Sequence, residues 1–248
     1  LELALEKSSN KAGGYELVRL NMRINQSRVV DLVKENKLLS VVWTMANTER
    51  EEMLRPIRIP LIKGLGGCRI GLIKSGQQRV FNNIANTKEL KSLTIGQGQD
   101  WPDISILRSN GFEVVIGSEY DGLFEMLAHN RFDWFLRSIF EAFHEVELRK
   151  GIDVESRYLF YYDAPIYFFV SKENSELAQR IKDGLKIAKD DGSLARYFEN
   201  SDFIKQAKLE LGKNKRELIM LDNPNISQKT KEIMADEDYQ LCKQFTKA

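Results

Sequence analysis

Trp43-Thr44-Met45-Ala46-Asn47-Thr48-Glu49-Arg50, continued by Gly64-Leu65-Gly66-Gly67-Cys68-Arg69-Ile70-Gly71-Leu72-Ile73-Lys74, decides how this chain is read. An apolar strand over residues 39–43 runs into small polar residues and a Thr-Glu-Arg. The chain then stays extended through 57–61 and crosses a glycine cluster into a second apolar strand, Cys68–Lys74. Such an order sets a guanidinium just ahead of a crossing between two lobes. Arg50 reads either as a fork for a carboxylate, with paired donors held in one plane, or as a surface arginine on a short helical turn. Trp43, at the end of its strand, either stacks on a ligand or fills core. The carboxyl ends of strands in open α/β sheets are where ligands bind.

Outward from this stretch, apolar periodicity alternates between strand and helix. Residues 1–7 read as a helix, 15–20 as a strand and 26–36 as a helix carrying Val29, Leu32 and Val33 at helical spacing. After the glycines come a short helix over 87–90 and a strand over 93–96 that ends in Gln97-Gly98-Gln99-Asp100-Trp101-Pro102. Helices over 102–109, 120–130 and 139–150 alternate with strands over 112–117 and 132–137. Strands over 157–162 and 166–171 flank Asp163-Ala164-Pro165, and helices follow over 175–190, 192–200 and 203–211. A late strand spans 217–221, and a helix is expected around 229–235. Repeated units of this length favour a mostly parallel sheet covered on both faces.

Bulk properties exclude several classes. With 248 residues, 42% hydrophobic and 29% charged, the chain suits two modest lobes or one large one. A net charge of +1 offers no basic field for nucleic acid. No stretch approaches the ~20 apolar residues of a membrane-spanning helix, so no membrane insertion of the chain is expected. The first residues lack the pattern of a signal peptide, and an exported form has its leader outside this sequence. Cys68 and Cys242 read either as one disulfide or as two free thiols. His129 and His144, the only histidines, have no Cys or His neighbours, which argues against a metal site. No nucleophile elbow and no Ser-His or Cys-His pairing stands at a suggestive spacing, so an enzyme is not expected.

Gly96-Gln97-Gly98 follows a strand and precedes a helix, where exposed backbone N–H groups suit a carboxylate or phosphate oxygen. Asp100 is expected to cap the helix whose first turn holds Pro102. Trp101 reads either as a stacking residue or as local packing. Arg137, ending its strand, either faces Arg50 across a cleft or pairs with Glu141 four residues on. Tyr162 lies at the proposed second crossing, as cleft floor or solvated loop.

With these residues in place, the chain resembles the bacterial extracellular solute-binding proteins of the type II periplasmic-binding-protein fold, in particular the polar amino-acid-binding branch. The resemblance covers about residues 1–212. It rests on Thr48-Glu49-Arg50 ahead of the Pro60 segment, the Gly96-Gln97-Gly98 turn, Tyr120-Asp121-Gly122-Leu123, Arg131-Phe132-Asp133 and Tyr167-Phe168-Phe169-Val170-Ser171-Lys172. It implies an α/β protein of two lobes, each a mostly parallel sheet flanked by helices. Residues 1–62 plus 164–248 would form one lobe and 68–160 the other, with crossings near 60–67 and 159–165. It also implies a periplasmic or extracellular monomer that needs no cofactor. Such a protein captures a small solute by lobe closure and passes it to the membrane permease of an ABC transporter. A ligand-sensing module of a membrane receptor is the alternative use of the same fold.

The sequence departs from the family twice. The family opens with a strand, and this sequence opens in a helix. Amino-acid binders place an acid, which holds the ligand's ammonium, where this chain has Ser138. With Arg50 and Arg137 as the candidate clamps, the expected solute is a small polar anion.

Overall fold

The structure, a computed structural model, describes residues 1–22, 24–213 and 216–242. The chain opens with α1 (Glu2–Ala12), α2 (Gln26–Lys34), β1 (Val41–Met45), α3 (Thr48–Met53) and β2 (Arg55–Ile57). Beyond the first crossing come β3 (Cys68–Lys74) and two short helices, α4 (Gln78–Asn82) and α5 (Thr87–Lys91). An alternating run follows: β4 (Ile95–Gly98), α6 (Asp103–Ser109), β5 (Val114–Gly117), α7 (Tyr120–Ala128), β6 (Trp134–Ser138) and α8 (Ile139–Glu147). The return brings β7 (Ile152–Val154), β8 (Tyr158–Tyr161) and β9 (Ile166–Val170). Helices α9 (Ser175–Asp190), α10 (Ser193–Asn200) and α11 (Asp202–Lys213) come next, then β10 (Glu217–Met220), α12 (Gln228–Met234) and a 3₁₀ turn at Glu237–Tyr239.

Two sheets divide these elements into two lobes. The first has the order β1-β9-β2, with Ile-Tyr-Phe-Phe-Val of β9 buried at every position in the centre. Its faces are covered by α1 and α9 on one side, through Ala4, Ile181 and Leu185, and by α2 on the other, through Val30 and Val33. The second has seven strands, in the order β10-β8-β3-β6-β4-β5, with β7 beside β3. Strand β6 is buried throughout. Trp134 and Leu136 join one core with Phe81 and Phe160, and Phe135 joins the other with Leu123 and Phe124. Each fully buried side chain of this kind contributes about 1.5–3 kcal/mol, against ~0–1 kcal/mol for an exposed ion pair. The apolar pattern of β6 and β9, more than the surface charges, therefore holds each lobe together.

The architecture is the expected two-lobed α/β one, with four differences of detail. The first sheet is antiparallel in both pairings, because β1 and β2 flank a β9 that returns from the other lobe against them. In the second, β10–β8, β6–β4 and β4–β5 are parallel while β3 runs against its neighbours. Residues 15–20, expected as a strand, form no ladder, and Leu17, Val18 and Leu20 are exposed. Cross-strand pairs stabilise a strand, and no described strand lies beside this segment. Strand β10, expected within the first lobe, pairs with β8 in the second sheet.

The two crossings meet. Tyr162 N–H donates to the Gly67 carbonyl at 3.3 Å. A Cβ at Gly67 would fall 1.7 Å from the Tyr162 oxygen, so only glycine fits there. One residue further on, Cys68 is disulfide-bonded to Cys242, with Cα atoms 5.6 Å apart, which settles the cysteines as one bridge.

Candidate functional site

A cavity of about 320 Å³ lies between the lobes. Gln26 of α2 and Trp43 and Thr44 of β1 line it from the first lobe. The second lobe contributes Arg69, Trp101, Asp103, Arg137, Ser138 and Glu141. Strands β1 and β6 present their carboxyl ends here, so residues that close each strand reach the gap.

Arg50 sits in the short helix α3, whose N-cap, Asn47, accepts from its backbone N–H at 2.8 Å. The helical turn is as expected, but the side chain is buried, at 6% exposure. Nη1 donates to Thr44 Oγ1 at 2.7 Å and to the Met45 carbonyl at 3.0 Å, and Nη2 donates to Gln26 Oε1 at 2.9 Å. Burial pulls its pKa down against the opposing influence of Asp103, Asp100 and Glu49. All three acceptors are neutral. The guanidinium braces α3 to the end of β1 and to α2, and Arg50 lines an adjoining cavity together with Asp100 and Trp101 of the second lobe.

Arg137 is held from its own lobe. Its Nε donates to Glu145 Oε2 at 2.9 Å and Nη2 to Oε1 at 2.6 Å, a bidentate clasp. Glu141 Oε2 lies 3.2 Å from Nη2, the pair four residues apart. Trp101 stacks under the guanidinium, 4.7 Å from carbon to ring centroid. Burial opposes the Arg137 charge, but Glu141 and Glu145 more than offset it and push the pKa up. Arg50 is thus tied to neutral acceptors and Arg137 to two carboxylates.

Arg69 opens β3 just past the glycines. Its Nη2 lies 3.0 Å from Asp103 Oδ1, which also accepts a short hydrogen bond from the Tyr162 hydroxyl. The guanidinium carbon stands 5.8 Å from the Tyr162 ring centroid. The three groups link β3, the first turn of α6 and the second crossing.

Across the gap, Asp100 Oδ2 accepts from Ser27 N–H at 2.8 Å and Ser27 Oγ at 3.1 Å. The expected cap on α6 is absent: Pro102 is the N-cap there and makes no side-chain bond. Asp100 instead serves the amino end of α2, in the other lobe.

Comparison with known proteins bears on the fold. No protein-family model matches the sequence, and no curated protein matches it. Solved structures do. An ancestral arginine-binding protein bound to glutamine superposes with a TM-score of 0.59 at 18% identity, over 80% of this chain and 84% of its own. An amino acid ABC transporter substrate-binding protein from Streptococcus pneumoniae, bound to L-arginine, gives a TM-score of 0.60 at 15% identity over 79% of each chain. A periplasmic binding protein of Salmonella typhimurium with high arginine specificity gives 0.53 at 16% identity, over 75% of this chain and 77% of its own. The chain has the type II periplasmic-binding-protein fold.

Within that fold the sequence-expected residues are distributed unevenly. Trp43 is 56% exposed and faces the cavity, together with Trp101, Arg137 and Ser138. Ser138 Oγ donates to the Leu65 carbonyl at 3.2 Å, which binds the end of β6 to the first crossing. Gly96, Gln97 and Gly98 do not form an exposed turn, because they are the body of β4, paired with β5. Gln97 is fully buried and donates to the Leu136 carbonyl at 3.1 Å. The glycines make room for rings: added Cβ atoms would lie 2.3 Å from Phe132 at Gly96 and 2.6 Å from Trp101 at Gly98. Tyr162 is buried rather than solvated and acts through Asp103.

Three residues of the cleft escaped the sequence reading, Gln26, Arg69 and Asp103, while Glu141 was expected only as the partner of Arg137. Arg69 left one signal, a lone charge at the second position of an otherwise apolar strand start. The others sit in ordinary amphipathic helices, where a polar residue at a first turn carries no mark of its tertiary partner.

Proposed function

We propose that the protein captures a small polar solute between its lobes and presents it to a membrane permease. The carrying observation is the cavity of about 320 Å³ lined from both lobes by charged and aromatic side chains, a size that suits a small molecule. The named functions of the similar structures, amino acid binding among them, support the same reading. The lining holds two guanidiniums, Arg69 and Arg137, and two carboxylates, Asp103 and Glu141. This balance favours a solute bearing both signs of charge over the dianion suggested by Arg50 and Arg137 in sequence. Binding alone accounts for the site: its charges are paired with one another, and neither histidine lines it.

The Cys68–Cys242 bridge fits an oxidising compartment, the periplasm or cell exterior. A thermal-shift screen against amino acids, dicarboxylates, sugars and phosphorylated solutes tests the proposal. A true ligand at a hundredfold excess over its Kd adds about 2.7 kcal/mol of stability. A panel without a shift would overturn solute capture.

A further inference from the structure

Residues 217–242 belong to neither lobe alone. They begin in the second sheet, where β10 runs parallel to β8 and Leu221 N–H donates to the Tyr161 carbonyl at 2.9 Å. The end of α6 holds the next residue twice. Asn110 Nδ2 donates to the Asp222 carbonyl at 2.8 Å, and Asn110 Oδ1 accepts from Asp222 N–H at 3.0 Å. Asn223 Nδ2 then donates to the Asp163 carbonyl, in the second crossing, at 2.7 Å. Asn225 touches both lobes: its Nδ2 donates to Ser105 Oγ of α6, and its carbonyl accepts from Thr48 N–H at 2.7 Å and Thr48 Oγ1 at 2.9 Å. All three residues line the cavity shared by Arg50 and Asp100, so this bridge spans the gap between the lobes.

Past Asn225 the chain grips the first lobe. Ser227 Oγ and Thr230 Oγ1 donate to the two carboxylate oxygens of Glu51, at 2.9 and 2.7 Å, and Thr230 is fully buried. The Glu51 side chain is buried as well and is paired with Arg58 at 2.6 Å. Hydrogen bonds to an ionised acceptor are the strong kind. The segment then passes the first crossing, where a Cβ at Gly64 would fall 1.9 Å from the Tyr239 oxygen. It ends at Cys242, bonded to Cys68 of β3 in the second sheet.

We propose that residues 217–242 form a strap alongside the hinge, fixed to the second lobe at both ends and gripping the first at its middle, that limits how far the cleft opens. Two crossings alone leave the lobes free to turn, since a few hinge residues can absorb a large rotation. A rotation that parts Thr48 from Ser105 must break the Asn225 bonds or the grip on Glu51. The strap does not follow such a movement by sliding, because β10 and the Cys68–Cys242 bridge hold its two ends. Contacts made in one arrangement alone bias the equilibrium towards it. The strap involves no solute, so the tie holds whatever the cleft binds.

Small-angle scattering and amide hydrogen exchange of the full chain, without added solute, test this. The double variant Ser227→Ala/Thr230→Val removes both donors to Glu51 while keeping close to the native side-chain volumes. Its radius of gyration should rise above the wild-type value. Exchange of the Thr48 amide, which donates to Asn225, should speed up about tenfold or more. The amides of β9, in the core of the first lobe, should keep their wild-type rates. Ser227→Ala/Thr230→Ser, which returns one donor, should fall between the two. An unchanged radius in the folded double variant overturns the strap. So does equal acceleration at Thr48 and in β9, which is plain loss of stability. Should the double variant fail to fold, the wild-type protein decides. Its Thr48 amide should exchange about a hundredfold or more slowly than an unprotected one, and exchange at the unprotected rate overturns the proposal.

Discussion

Asp100 of the second lobe accepts two hydrogen bonds from Ser27 of the first, one from its backbone and one from its hydroxyl. The bond reaches the second residue of α2, so a carboxylate of one lobe caps a helix of the other. Capping of this kind contributes about 1 kcal/mol, and it exists only while the lobes are together. A contact present in one state alone shifts the population by its own free energy. Asp100→Ala should therefore weaken ligand binding about fivefold and enlarge the radius of gyration in small-angle scattering. Unchanged scattering and affinity would remove Asp100 as a latch.

The Arg137–Glu145 clasp predicts an acid-sensitive second lobe. Burial works to raise the Glu145 pKa, but the Arg137 charge and the bonds from Arg137 and Tyr120 outweigh it, leaving the value below the usual 4.5. A carboxyl lowered in the folded state adds stability above its unfolded pKa and loses it as pH falls through the folded one. Urea midpoints should fall as pH drops from about 5 towards 3. Glu145→Gln should flatten that slope, and Arg137→Met, which removes the ion partner of Glu145 and leaves it only the Tyr120 hydroxyl bond, should cost about 3 kcal/mol at neutral pH. A wild-type slope retained by Glu145→Gln would assign the effect to other carboxylates.

Trp43 offers a direct optical readout. Its indole is more than half exposed at the cavity mouth, whereas Trp134 is fully buried and Trp101 is packed on Phe135. Ligand-induced emission change should come mainly from Trp43 and disappear in Trp43→Phe. If Trp43 stacks on the solute, Trp43→Ala should weaken binding about two- to tenfold, the scale of an aromatic contact. An emission change of full size in Trp43→Phe would place the solute elsewhere.

Loss of the Cys68–Cys242 bridge should be felt by the whole chain. The cysteines are 174 positions apart. Removing a native disulfide typically costs about 2–5 kcal/mol, and a long loop belongs towards the upper end in the chain-entropy model. Cys242→Ser, or reduction of the wild-type protein, should lower the urea midpoint accordingly. Equal midpoints under oxidising and reducing conditions would show the bridge to be energetically idle.

Local features of the fold were readable, and tertiary ones were not. Strand β3 and helix α9 occupy their expected bounds, since a continuous apolar run and a long 3.6-residue period carry their own evidence. Arg137–Glu141 was also readable, as a spacing of four residues. The stronger partner, Glu145, depends on how α8 folds back after β6, which no local spacing encodes. Arg69 and Asp103 meet only because β3 and α6 are brought together. Asp100 looked like a cap and is one, but its helix lies 73 positions away in sequence. The glycines of β4 misled because Gly-rich segments ordinarily signal turns, whereas here the space of their missing side chains belongs to Phe132 and Trp101.

The sulfur bridge also divides the polypeptide mechanically. Residues 68–242 form a closed covalent ring, so tension applied at Leu1 and beyond Cys242 bypasses everything inside it. The slack available on the amino-terminal side is residues 1–67, roughly 220–240 Å of fully stretched contour. That segment includes β1 and β2, the strands that flank β9, and it carries Gln26, Trp43 and Arg50. A pulling force would therefore strip away the first wall of the cleft while the seven-stranded sheet stayed tied in its loop.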